Sequence, residues 1–239
     1  MAGTAERTTK RIQRPPRDEA DTTLYARLRD ACAVEWLAYT EHPFVRRIGD
    51  GSLPEEAFRY YLGQDYLFLI QFARAYGLAV YKSDALVDMR AAAASLSAIL
   101  DVEMELHVKF CAGWGLGEAE MAGLPEDSAT MAYTRFVLET GMAGDILDLH
   151  AALAPCIVGY AEIGNALADT ALGTRNPYAD WIAMYAGDEY QQVARDEIAT
   201  LQRLGARRGA AARFDELADT FRTATSLEAE FWAMGLEAA

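Results

Sequence analysis

From Thr22 onward, the stretches between prolines repeat their apolar residues at spacings of three and four, and alternating β patterns are missing. That periodicity admits only helices. Leu24, Leu28, Cys32, Trp36 and Tyr39 form one apolar face of a helix expected over 22–40, which His42-Pro43 breaks. Ile48-Gly49-Asp50-Gly51 reads as a turn. Ser52-Leu53-Pro54-Glu55 then reads as a capping box that opens a helix running to Lys82. A third helix is expected from Asp84 to Trp114, stopped by Gly113, Gly115 and Gly117, with a short piece from Glu118 to Gly123. Further helices are expected over 128–140, 144–172, 177–204 and 210–235. The fold class is all-α: a single-domain helical bundle over 21–239, preceded by a flexible tail over 1–20. The tail carries Arg7, Lys10, Arg11, Arg14 and Arg17 around Pro15-Pro16.

Composition excludes several classes of function. The 239 residues carry a net charge of -14, which repels phosphate backbones and argues against nucleic acid as a partner. Cys32, Cys111 and Cys156 are too few and too scattered for a disulfide framework or a zinc site, which points to a reducing cytoplasm. No apolar run of transmembrane length is evident, so no membrane partner is expected.

A bundle places its ligand sites between facing helices, so inward-pointing polar side chains are the candidates. Cys156 follows Pro155, where a helix kinks or breaks. It reads either as a small buried core residue or as a nucleophile. For the second reading, Gly159 leaves room for a ligand, Tyr160 at i+4 shares the cysteine's face, and Glu162 lies within two turns. Asp65 lies on nearly the same face as Tyr61, Phe68 and Phe72, where a carboxylate is costly unless partnered. Glu228 precedes Phe231 and Trp232 in the last helix, with Glu230 close by. Glu103 and His107 form an i,i+4 pair that suits either a metal or a structural network. His42 and His150 are the only other imidazoles, too few for the paired Glu-x-x-His helices of a di-iron site. The pair is therefore read as a network, with no metal and no cofactor.

Taken in order, these segments resemble the thiaminase II (TenA) family, whose fold is the heme-oxygenase-like type. The likeness runs through His42-Pro43-Phe44-Val45, Ile48-Gly49-Asp50-Gly51-Ser52-Leu53-Pro54 and Phe58-Arg59-Tyr60-Tyr61-Leu62 into Gln64-Asp65. It continues through Glu103-Met104-Glu105-Leu106-His107, Ala132-Tyr133-Thr134, Pro155-Cys156, Tyr160-Ala161-Glu162-Ile163-Gly164, Trp181-Ile182 with Tyr185, and Phe231-Trp232. The resemblance implies hydrolysis of an aminomethyl-pyrimidine or of thiamin to the hydroxymethyl-pyrimidine, in thiamin salvage, and a homotetramer. By position it implies Cys156 as nucleophile and Glu228 as acid/base. It implies Asp65 at the aminopyrimidine edge, Tyr133 and Tyr185 shaping the pocket, and Phe68 and Tyr160 flanking the ring. Phe68 stands where a tyrosine is common in the family; it keeps the stacking face and loses a hydroxyl.

The implied chemistry suits these residue types. A thiolate that adds to the electron-poor pyrimidine makes the ring an electron source able to expel the leaving group, and water then adds to the exposed methylene. A partly buried glutamate suits the proton exchanges. Two other readings are weighed beside this one: a non-haem di-iron oxidase on the same fold, and a non-catalytic pyrimidine-binding or regulatory protein. The enzyme reading carries a geometric expectation. Cys156 and Glu228 should both border one cavity, on the order of 300 Å³ or more. Asp65 should lie across it, Phe68 or Tyr160 should offer a ring face, and burial should raise the Glu228 pKa.

Overall fold

The computed structural model describes residues 22–171 and 176–238, so the tail expected over 1–20 lies outside the described residues. Those residues form α1 (Leu24–Ala31), α2 (Ala33–Thr40), α3 (Pro43–Asp50), α4 (Glu55–Lys82), α5 (Leu86–Ala98) and α6 (Met104–Ala112). They continue through α7 (Glu118–Ala122), α8 (Ser128–Ala143), α9 (Ile146–Ala171), α10 (Ala179–Ala186), α11 (Asp188–Arg207) and α12 (Phe214–Glu237). A π-helical turn, Ile99–Glu103, joins α5 to α6 without a break, and a 3₁₀ turn, Ala210–Arg213, leads into α12. No strand occurs among the described residues.

The bundle is organised around α9, which packs against α10, α11, α12 and α8. From Leu147 to Ile163 its Leu, Ala, Ile, Val and Tyr side chains are buried on every side, as an apolar helix inside a bundle must be. The segment Ile146–Ala168 is in fact long and apolar enough to cross a membrane, contrary to the expectation that none would be. Its most apolar window is 83% buried inside the protein, which accounts for its composition as that of a core helix. Pro155 sits within α9, and the helix continues through it. Helix α4 packs against α5, α8 and α12, and α12 also covers α2. Two acidic residues, Glu55 and Glu56, occupy the first turn of α4 and Lys82 its last, in accord with the helix dipole.

Several helix ends differ from the sequence-based expectation. The helix expected over 22–40 is interrupted at Cys32, whose backbone leaves the helical region (φ -123°, ψ 37°). His42-Pro43 begins a helix as well as ending one. The His42 Nδ1 atom accepts the Phe44 N–H at 3.2 Å as an N-cap, and Pro43 takes the first helical position, where a missing N–H costs nothing. Ile48, Gly49 and Asp50 belong to α3, and the chain turns at Gly51 in the left-handed region (φ 75°). The capping box does not form. Pro54 is the N-cap residue of α4, without a side-chain bond, and the Ser52 N–H donates to Asp50 at 2.9 Å. The helix expected over 177–204 is two helices parted at Gly187, whose extended backbone re-aims the chain.

Candidate active site

A cavity of about 950 Å³ lies among α4, α5, the π-helical turn, α9, α10 and α11. Of the sequence-derived candidates, Asp65, Phe68, Cys156, Tyr160 and Tyr185 line it. The helical repeat delivers them: Tyr61, Asp65, Phe68 and Phe72 fall on one buried face of α4, and Cys156 and Tyr160 on one face of α9. Phe68 is stacked on Phe72 (centroids 5.1 Å apart) and lies 5.0 Å from the Tyr133 ring. Tyr160 is 4.8 Å from Tyr185.

Tyr133 and Glu228 stand one layer behind this wall and do not line the cavity, so the expectation that Glu228 would border it is corrected. The carboxyl instead reaches the cavity through the cysteine. Glu228 accepts the Tyr133 hydroxyl at 2.8 Å, and its charge bears on the neighbouring Cys156 thiol. Glu228 is buried and Glu230 is exposed, so Glu228 is the glutamate of the pair that faces inward. Phe221, Thr225 and Trp232 share its buried stripe on α12. Burial pushes the Glu228 carboxyl up to about 8; the Tyr133 hydrogen bond opposes this and the charge of Asp65 adds to it. Burial, and then the charges of Glu228, Glu103 and Asp65, raise the Cys156 thiol well above its ordinary value. The resting sulfur is therefore a thiol, and Glu228, which holds its own proton up to about pH 8, is the neighbouring group able to exchange protons with it.

Asp65 is buried, and two donors converge on its Oδ2: the Tyr61 hydroxyl at 3.2 Å and His107 Nε2 at 2.6 Å. His107 Nδ1 lies 2.9 Å from the Glu103 carbonyl oxygen. A carbonyl only accepts, so Nδ1 carries a proton, and the short contact to Asp65 holds a second proton between Nε2 and the carboxylate. Burial works to lower His107, but the Asp65 charge outweighs it and its pKa is raised. The Asp65 charge thus favours the protonated imidazole, and the two side chains hold a proton between them. The Glu103/His107 motif thus serves a network, as read from sequence, but its carboxylate partner is Asp65 on α4. Among the described residues no group of three His, Cys, Asp or Glu side chains is placed to hold a metal ion.

Two sequence readings fail here. Gly159 gives no room to a ligand: a Cβ there would lie 2.6 Å from the Tyr39 hydroxyl oxygen, so the space is filled by the Tyr39 ring. Glu162 is a tie between helices, accepting Tyr25 Oη at 2.8 Å, Arg29 at 3.1 Å and Trp36 Nε1 at 3.0 Å. One residue was missed as a site group. Glu103 lines the cavity, its Oε1 lies 3.5 Å from the Tyr185 hydroxyl, and burial lifts its carboxyl to about 7. Its position in the Glu-x-x-x-His motif was the available signal. Paired charges also line the cavity: His150 Nδ1 lies 2.7 Å from Glu197, and Asp88 pairs with Arg203 and, beyond the lining, with Arg207.

A cavity in an all-α bundle, walled by a cysteine, an aspartate and aromatic rings with the buried Glu228 carboxyl behind them, defines a small-molecule site. Residues 29–238 match the TENA/THI-4/PQQC family, and the chain belongs to that family. It is 36% identical to a protein of Halalkalibacterium halodurans named aminopyrimidine aminohydrolase, over 83% of this chain and 89% of that one. A solved structure from Silicibacter sp. TM1040, described as a TenA family transcription regulator, is 44% identical with a TM-score of 0.84, covering 89% of this chain and 96% of that one. A Shewanella denitrificans domain of heme oxygenase-like fold, 13% identical, superposes with a TM-score of 0.68 over 89% of this chain and 92% of its own. The fold is all-α and heme-oxygenase-like.

Proposed function

We propose that the chain is an aminopyrimidine aminohydrolase of the thiaminase II type, which converts an aminomethyl-pyrimidine or thiamin to the hydroxymethyl-pyrimidine in thiamin salvage. The observation that carries this reading is the Cys156 thiol, set at the cavity wall beside the buried Glu228 carboxyl. Asp65 on the same cavity takes the amino edge of the ring; both of its protein contacts fall on Oδ2, and the other carboxylate oxygen takes part in neither. Phe68 and Tyr160 bracket a flat ring. As the Cys156 sulfur bonds to the ring, its proton passes to Glu228 and on to a ring nitrogen. The electron pair released into the ring expels the leaving group from the exocyclic carbon. Water adds there and its spare proton goes to the departing amine, the carbon–sulfur bond breaks, and the ring proton returns through Glu228 to sulfur.

The donor set disfavours the oxidase, since His107 and His150 are each committed to one carboxylate. A DNA-binding regulator fits poorly with a net charge of -14, and a passive binder has no use for a thiol beside a buried carboxyl. We place the enzyme in the cytoplasm, where Cys32, Cys111 and Cys156 stay free. We assign it a homotetramer, supported by the apolar surface at Val34, Tyr81, Leu86, Val87 and Met142. Incubation with aminomethyl-pyrimidine and, separately, thiamin tests the function. Release of hydroxymethyl-pyrimidine is expected, and failure with both substrates refutes the reading.

A further inference from the structure

We propose that Glu103 receives the exocyclic end of the substrate: its carboxylate pairs with the protonated aminomethyl group and then takes the proton that the incoming water loses. This rests on the aminopyrimidine-hydrolase reading and adds to it a second acid/base, at the other end of the substrate from Glu228.

The reaction has two ends, and one carboxyl cannot serve both. Glu228 lies behind the cysteine, accepting the Tyr133 hydroxyl, and does not border the cavity. Glu103 does border it, at the last residue of the π-helical turn. In that turn the Met104 N–H bonds the Ile99 carbonyl five residues back, and such turns occur often at functional sites. The same residue's carbonyl accepts from His107, which fixes the backbone beside the carboxylate. The ionisable groups around Glu103 are Asp65 and Tyr76 of α4, His107 of α6, Cys156 of α9, Tyr185 of α10 and Tyr190 of α11. His107 is the single group of that set able to carry a positive charge, and Asp65 claims it at 2.6 Å. Among the described residues Glu103 makes no salt bridge of its own; its side-chain hydrogen bond is from the neutral Tyr185 hydroxyl. Glu103 is half-buried, and a carboxylate drawn out of water without a cation beside it is costly. Burial and the Asp65 charge lift this one to about 7 against the opposing pull of His107, so near neutral pH it both gives and takes a proton. A ligand that brings a positive charge completes the site.

The bookkeeping closes with no other reagent. The carbon–nitrogen bond breaks and its electron pair leaves with nitrogen, so the ammonium departs as ammonia. Water forms the new carbon–oxygen bond and gives its proton to Glu103. Glu103 hands that proton to ammonia, which leaves as ammonium, and the carboxylate is restored.

The test uses Glu103→Gln in the full chain. On a Cys156→Ser background, where ligand is not consumed, the added Glu103→Gln should weaken aminomethyl-pyrimidine binding about ten- to a hundredfold, as expected for a lost charge-assisted bond. Binding of the neutral hydroxymethyl-pyrimidine should change less than about twofold. With Cys156 intact, Glu103→Gln should lower kcat by about 10²-fold or more and remove an acid limb near pH 7 from the rate profile. Equal weakening of both ligands would mean a merely structural role and overturn the proposal, as would unchanged kcat. If the parent enzyme turns over neither substrate, the hydrolase reading falls and this proposal with it, a result distinct from a defect confined to the Glu103 variant.

Discussion

Replacing Glu228 with Gln keeps the side chain's shape and removes its charge, and its effect on stability against pH can be worked out in advance. The folded carboxyl sits at about 8 against an ordinary value of 4.5, because burial outweighs the Tyr133 hydrogen bond. Between those values the folded protein holds a proton that the unfolded chain releases. Stability therefore falls as pH rises through this window, by about 1.4 kcal/mol per pH unit from this group. Over pH 5 to 8 the wild-type protein should lose on the order of 4 kcal/mol through Glu228, and a glutamine loses nothing by this route. The two proteins should have similar stability at pH 5, since the amide oxygen can still accept the Tyr133 hydroxyl. At pH 8 Glu228→Gln should be the more stable, although it lacks the group that exchanges protons with the thiol and should lose turnover by about 10²- to 10⁴-fold. Urea unfolding at pH 5, 6.5 and 8, at one protein concentration, reads the difference directly. Parallel stability curves for the two proteins would refute the burial argument and leave Glu228 an ordinary exposed carboxylate.

Cys156→Ser should abolish turnover while leaving Tm within a few degrees of wild type, because an alcohol is far less ionised than a thiol. Alanine at buried Cys32 or Cys111 should cost about 1 kcal/mol of packing and keep activity; near-normal turnover by Cys156→Ser would end the covalent mechanism. Gly159→Ala should destabilise by about 1–3 kcal/mol, seen as a lowered Tm. Its Cβ would lie 2.8 Å from Tyr39 Cζ, and Tyr39 is fully buried with Trp232 stacked behind it. Light scattering should give four times the mass of one chain, and a stable monomer would contradict the assembly we assign.

The fold class was legible because a period near 3.6 leaves the same mark wherever one face is buried. Leu24, Leu28, Trp36 and Tyr39 all reached the core as expected, although the chain is broken between them at Cys32. Helix ends were less legible, because identical local signals serve opposite purposes. Pro43 closes one helix and opens the next, and the Ser-x-x-Glu pattern at Ser52 is present without forming its box because Pro54 takes the N-cap position. The π-helical turn left no sequence signal at all. Its residues Ile99, Leu100, Asp101, Val102 and Glu103 read as ordinary helix, and widening a turn by one residue does not disturb the apolar pattern on either side.

The site divides along similar lines. Asp65 stood out in sequence because an acid on an apolar helix face demands a partner, and it has two, Tyr61 and His107. The spacing of Glu228 to Phe231 and Trp232 favoured it over Glu230 as the inward-facing glutamate, and α12 is turned that way, with Phe231 and Trp232 against the Tyr61 ring. Glu103 was visible only as half of a pair. The motif pointed to His107 as its partner, and the imidazole belongs instead to Asp65, 42 residues away in the chain. Sequence spacing shows which residues share a helix face; it carries no information about which carboxylate on another helix reaches a cation first. That competition decides the chemistry here. The carboxylate that wins His107, Asp65, is fixed by it and by Tyr61 in the cavity wall. The one that loses is left in the cavity wall without a cation, where a charged substrate can supply it.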